Sequence, residues 1–170
     1  MVDLPYTTLP APPGAMRAGT ALARLVDAIG FRYRWATEGL DESILAFRPA
    51  EGAHDLRGLL GHVHDLVAWV RDGVAAPRPR APRPQRLEDV RRATLAAIVE
   101  LREALLALDD PAIERIELVH PTRGRFPIWN AINGPLADAL THVGQVNSWR
   151  RIAGNPTPPA HVFLGTPPHD

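Results

Sequence analysis

Cysteine and lysine are both missing from this 170-residue chain, and serine occurs only at Ser43 and Ser148. Without cysteine there is no thiolate nucleophile, disulfide, iron–sulfur cluster or cysteine zinc site. Without lysine there is no Schiff base, no lysine-anchored pyridoxal phosphate, and no phosphate-loop or kinase-strand lysine. Neither serine lies in a G-x-S-x-G elbow, the turn that exposes a hydrolase nucleophile. An excess of charge is missing too: 19 basic side chains, all arginine, balance 19 acidic ones, for a pI near 7.1. Such a chain lacks the basic footprint that nucleic acid or an anionic membrane surface requires, so neither partner is expected. No apolar run reaches the ~18 residues of a membrane span. The segment Met1–Gly14 has neither the charged start nor the apolar centre of a signal peptide, and a cytoplasmic protein is expected.

Histidine, carboxylate, tyrosine, threonine and arginine chemistry remains. By elimination a metal held by imidazole and carboxylate moves forward, beside the alternative that the chain is no enzyme at all. With 45% hydrophobic and 22% charged residues the composition is that of a globular protein. The length suits one domain burying roughly 70% of its unfolded surface.

Four prolines in residues 1–14 make that segment an extended arm. From Ala15, Leu22, Leu25, Val26, Ile29, Tyr33, Ala36 and Leu40 recur at helical spacing, predicting a helix that ends before Pro49. A second helix is expected over 55–72, with Asp55 as cap, one stripe from Leu56 to Val70, and Gly73 as its stop. Residues 74–86 are rich in proline and arginine and read as a solvated connector. A third helix follows over 87–108, its seam at Thr94, Ile98, Leu101, Leu105 and Leu108, closed by Asp109, Asp110 and Pro111. Two acids at a helix C-terminus oppose its dipole, so that end is expected to fray. Ile116–Val119 predicts a short strand and Thr122–Arg125 a turn. In the last helix Asn133 is the expected cap, Pro135 falls in the first turn, and Gly154-Asn155-Pro156 closes it before a tail over 156–170. Four long helices, with a long crossover between the second and third, predict an all-α, up-down four-helix bundle occupying about 15–155.

Bundles build metal sites from inward-facing side chains on neighbouring helices. Asp138 and His142 stand four apart on the last helix, so their Cβ atoms lie about 5–6 Å apart on one face. Gln145 and Trp149 continue that face, Gln145 in reach of a ligand or the substrate. Gly144 would let a backbone or a ligand come close. Alone the D-x-x-x-H spacing is common on solvated faces. The second helix supplies His62 and His64, which diverge by roughly 200° and cannot face one ion together. Trp69, seven residues beyond His62, extends the apolar face toward it and favours His62. The alternative is a core-edge histidine bonded within the bundle.

Leu59-Leu60-Gly61-His62-Val63 resembles the L-x-H-hydrophobic signature on the second helix of the DinB-like (YfiT-like) family. His142-Val143-Gly144-Gln145-Val146 resembles that family's H-x-G-Q-hydrophobic signature on the last helix. About eighty residues and a third helix separate the two, as in the family, and Arg150-Arg151-Ile152-Ala153-Gly154 is typical of its members. The resemblance spans residues 15–155. It implies one divalent ion, zinc or nickel, held by His62, Asp138 and His142. The family's commonest pattern has histidine where Asp138 stands; related mycothiol-dependent isomerases have glutamate there. Aspartate is shorter by a methylene, which brings an ion nearer the helix.

Three protein ligands leave an open coordination position, the arrangement of catalytic sites. The resemblance implies a small-molecule substrate and a metal-dependent thiol transferase or isomerase, with a low-molecular-weight thiol such as mycothiol or bacillithiol as co-substrate. A hydrolase acting through activated water fits the same ligands. The alternative reading is a non-catalytic bundle with a degenerate site that binds a small ligand. A homodimer through exposed bundle faces suits either. Arg34, Arg125 and Arg150 are candidate holders of an anionic substrate, against ordinary surface charge. Tyr33 is a candidate proton donor against a core role. Trp35, Trp69, Trp129 and Trp149 are expected mainly in the core, with Trp69 and Trp149 able to line the pocket. His54, His120, His161 and His169 are expected in solvent.

Overall fold

The apolar stripes become long helices in the computed structural model, which describes residues 3–75 and 82–168. In chain order the elements are α1 (Ala18–Ala36), α2 (Leu56–Val74), α3 (Leu87–Ala107), α4 (Asp110–Glu114), β1 (Glu117–His120), β2 (Gly124–Pro127), α5 (Ile128–Ala131) and α6 (Ala137–Ile152). The protein is mostly helical, and its two strands form one small antiparallel hairpin in which Leu118 pairs with Phe126. Helix α3 packs against α1 and α2, and α6 packs against the same two. Val26 and Ile29 of α1, Leu59, Val63 and Val67 of α2, Ile98 and Leu101 of α3, and Val143 and Val146 of α6 meet in the core. Each large aliphatic side chain so removed from water contributes about 1.5–3 kcal/mol. Residues 76–81 of the expected connector, and His169, lie outside the described residues.

Several element ends differ from the sequence reading. The first helix stops at Ala36, because the Thr37 hydroxyl turns back onto the Tyr33 carbonyl (2.8 Å) and Gly39 adopts φ +58°. Leu40 is buried all the same, in the loop that leads to a single 3-10 turn at Glu42–Ile44. Gly73 does not stop α2 but lies inside it; a Cβ there would sit 2.3 Å from Cδ2 of the buried Leu118, so the glycine admits β1 against the helix. Asp109 and Asp110 act as N-terminal caps rather than as unfavourable C-terminal charges. Asp109 accepts from the Ala112 amide (2.8 Å) to start α4, and Asp110 accepts from the Ala18 amide (3.0 Å) at the start of α1. Asn133 does not cap the last helix. The chain is already helical from Ile128, passes through a π-helical turn at Ile132–Leu136 where Gly134 departs from helical dihedrals, and enters α6 without a side-chain cap.

The N-terminal arm is extended yet closely packed. Tyr6 is buried, and its hydroxyl donates to Asp27 (3.1 Å), a fully buried carboxylate on α1 that also pairs with Arg102 of α3 (2.8 Å). Burial, reinforced by the charge of Asp27, pushes the Tyr6 phenol well above its usual range. The Leu9 amide donates to the Gly165 carbonyl (2.8 Å), which ties the arm to the tail.

Candidate metal centre

Where α2 passes α6, the structure brings His62, Asp138 and His142 together, with one ligand atom from each inside a group no wider than 4.8 Å. His62 Nε2 lies 3.5 Å from Asp138 Oδ2, and His142 Nε2 lies 3.2 Å from Asp138 Oδ1. The two imidazoles meet edge to face, centroids 4.9 Å apart. Zinc–ligand bonds of about 2.0–2.1 Å at tetrahedral angles separate neighbouring ligand atoms by about 3.3 Å. Each imidazole therefore stands at about that spacing from one oxygen of the carboxylate, His62 from Oδ2 and His142 from Oδ1. Two nitrogens and one carboxylate oxygen are also a donor set that zinc and nickel accept.

Each ligand is placed by its helix. Asp138 and His142 share a face through their four-residue spacing, and Asp138 stands in the first turn of α6, where the helix dipole favours an anion. On α2 the divergence of the His62 and His64 directions is resolved by packing. His62 turns toward α6, while His64 is buried with its Nδ1 3.2 Å from Thr94 Oγ1 of α3. The Thr94 hydroxyl donates its own proton to the Val90 carbonyl (2.7 Å), so the His64 ring supplies the hydrogen in that pair. His62 is also accompanied by His54, which stacks on it with centroids 6.1 Å apart. His54 is exposed, as the sequence suggested, but it is not isolated.

Gln145 supports the site from one turn further along α6. Its Oε1 lies 2.7 Å from His142 Nδ1; an amide oxygen only accepts, so Nδ1 carries the proton and Nε2 keeps its lone pair for a metal. The side chains of His62, Asp138 and His142 are 38%, 47% and 16% exposed, so the centre is reachable from solvent through its carboxylate. No close approach requires Gly144, since a Cβ there would meet nothing within 4 Å.

Beside Asp138 opens a cavity of about 500 Å³ between α2, the hairpin and the π-helical turn. Trp69 lines it, as the sequence reading allowed. Its indole N–H donates to the Val119 carbonyl (2.8 Å) and its ring meets His120 edge-on at 5.4 Å. His120, expected to be merely solvated, is thus part of the wall. Trp149 packs partly buried against the core and is absent from that wall. Tyr33 is fully buried beside Thr94; burial pushes its phenol up to about 12, against the lowering influence of Thr94 and Arg91. Trp129 is exposed rather than in the core, and Trp35 is half-buried under the Arg34 guanidinium.

The three candidate anion holders are all engaged elsewhere. Arg34 pairs with Glu38, and Arg125 with Glu117 (3.0 Å). Arg150 is buried and donates to the carbonyls of Ala36 (2.8 Å), Glu38 (2.8 Å), Gly39 (3.0 Å) and Asn155 (2.9 Å), fastening the end of α6 to the loop after α1. The arginine that does reach the cavity is Arg123, together with Phe126, Asn130 and Asn133. The sequence marked Arg123 only as a turn residue; the hairpin is what carries it there. Compared with known protein families, with curated proteins and with solved structures, the chain finds no match in any of the three.

Proposed function

We propose that this chain is a DinB-like four-helix bundle holding one divalent metal ion, zinc or nickel, at an open three-ligand site. Its proposed activity is a metal-dependent thiol transfer or isomerisation, or a hydrolysis. One observation carries the metal reading: His62, Asp138 and His142 come from two helices and eighty residues of sequence, yet offer their ligand atoms within 4.8 Å. The contacts of α3 and of α6 with both α1 and α2 support the bundle. When bound, such an ion polarises a substrate carbonyl or lowers the pKa of a coordinated water or thiol. Gln145 holds His142 in the tautomer that ligates, and the exposed side of Asp138 opens on the cavity where a substrate would sit. The lack of cysteine is consistent with a thiol supplied as co-substrate.

Elemental analysis of the purified chain, before and after loading with zinc, nickel and manganese, tests the site. One divalent ion per chain is expected, lost in His142→Ala while the circular-dichroism spectrum stays helical. No ion under any loading would refute the metal reading and leave a bundle that binds a small ligand without catalysis.

A further inference from the structure

From the cavity beside Asp138 we infer that the protein takes a small carboxylate with an apolar, preferably aromatic, body, its carboxylate on Arg123 and its far end toward the metal centre. In placing the ligand beside an ion this rests on the metal reading; the contact with Arg123 does not. The cavity's volume of about 500 Å³ falls within the range of small-molecule sites, about 300–1,000 Å³. Its wall sets the apolar surfaces of Leu66, Trp69 and Phe126 on the same cavity as the polar side chains of His120, Arg123 and Asp138. The Trp69 N–H is already bound to Val119, so the indole offers only its ring to a ligand.

The charge pattern names the other end. Arg123 is the one basic side chain other than histidine in the wall, and among the described residues it has no carboxylate partner. Arg34, Arg125 and Arg150, the candidate anion holders of the sequence, are engaged elsewhere, and Arg123 is the arginine that lines the cavity. A planar fork of donors matches a carboxylate with two parallel hydrogen bonds. The Thr122 amide donates to His120 Nδ1 (3.2 Å), so the neutral ring carries its proton on Nε2 and has a donor left to give. A single arginine, with Asp138 on the same wall, suits one negative charge better than the two of a phosphate monoester.

Calorimetric titration of the full chain with phenylacetate, phenylacetamide and phenyl phosphate tests the assignment. Phenylacetate is expected to bind about tenfold or more tighter than phenylacetamide, the range of a charge-assisted bond. Arg123→Gln should bring phenylacetate down to the amide and leave the amide unchanged, and Phe126→Ala should weaken both together. The preference should persist in protein stripped with a chelator. A preference lost on chelation but kept in Arg123→Gln would mean that the carboxylate ligates the ion, and would overturn the assignment. So would equal binding of acid and amide, no binding of either, or an Arg123-dependent preference for phenyl phosphate. Metal content measured on the same samples separates the two readings. No ion with the acid preference intact defeats the metal site alone, and one ion with no acid preference defeats this proposal alone.

Discussion

Gln145 bonds His142 rather than offering a ligand atom of its own, and its replacement tests the proposed metal site more searchingly than loss of a ligand. In Gln145→Leu the 2.7 Å bond from His142 Nδ1 is gone while the side-chain volume is nearly kept. His142 is then free to rotate and to place its proton on Nε2, the atom that faces Asp138 at 3.2 Å and must be bare to ligate. Loss of such an outer hydrogen bond costs about 10–100-fold in metal affinity, equivalent to about 1.4–2.7 kcal/mol. Gln145→Glu keeps an acceptor at the same reach, and a carboxylate raises the basicity of the ring, so its affinity should equal or exceed that of the parent. Competition for zinc with a chromophoric chelator measures all three proteins, with His142→Ala as the floor. Affinity within threefold of the parent in Gln145→Leu, or a loss in Gln145→Glu as large as in Gln145→Leu, would refute the role given to this bond.

Two further consequences concern the scaffold. Gly19→Ala replaces a poor helix former by the best, a gain of about 1 kcal/mol from propensity. The new Cβ would lie 2.5 Å from the Leu105 carbonyl oxygen and 3.3 Å from that of Leu108, both backbone atoms of the neighbouring segment. Overpacking of about 1–3 kcal/mol should prevail, so urea unfolding is expected to show a net loss; a gain would mean that α1 and α3 yield easily. Burial acts to raise Glu38, but the hydrogen bond and charge of Arg91, with the charge of Arg34, outweigh it and hold the carboxyl below its ordinary value. Its stabilisation is therefore present above the unfolded value of about 4.3 and is lost as pH falls through the lower folded value. Unfolding of Glu38→Gln against the parent should differ most near neutrality and converge in acid; a constant difference would contradict the ion pairs.

Helix interiors were legible because periodicity reports which face is buried. The stripes of α2 and α3 sit in the core where the spacing put them, and Asp55 accepts from the Gly58 amide (2.7 Å) as the expected cap. The short strand was legible too, displaced by one residue to Glu117–His120. Chain ends and punctuation were less so, since their meaning depends on what lies across from them. Gly73 looked like a stop and is a contact with Leu118; Asp110 looked like a badly placed charge and caps α1, ninety-two residues away. Tyr6 lay in an arm with no periodicity, yet finds a buried partner in Asp27.

Composition and spacing determined the chemical vocabulary by themselves. A chain without cysteine offers a divalent transition metal chiefly imidazole and carboxylate, and i,i+4 spacing sets Asp138 and His142 on one face whatever surrounds them. Helical geometry alone likewise requires His62 and His64 to diverge. Which of the two turns toward α6, which arginine lines a cavity, and where that cavity forms are relations between segments distant in sequence. Those were decided by the packing of α2 against α6 and by the hairpin that carries Arg123 to the site. Local sequence encodes the direction of a side chain relative to its own helix; only the tertiary fold encodes what stands opposite it.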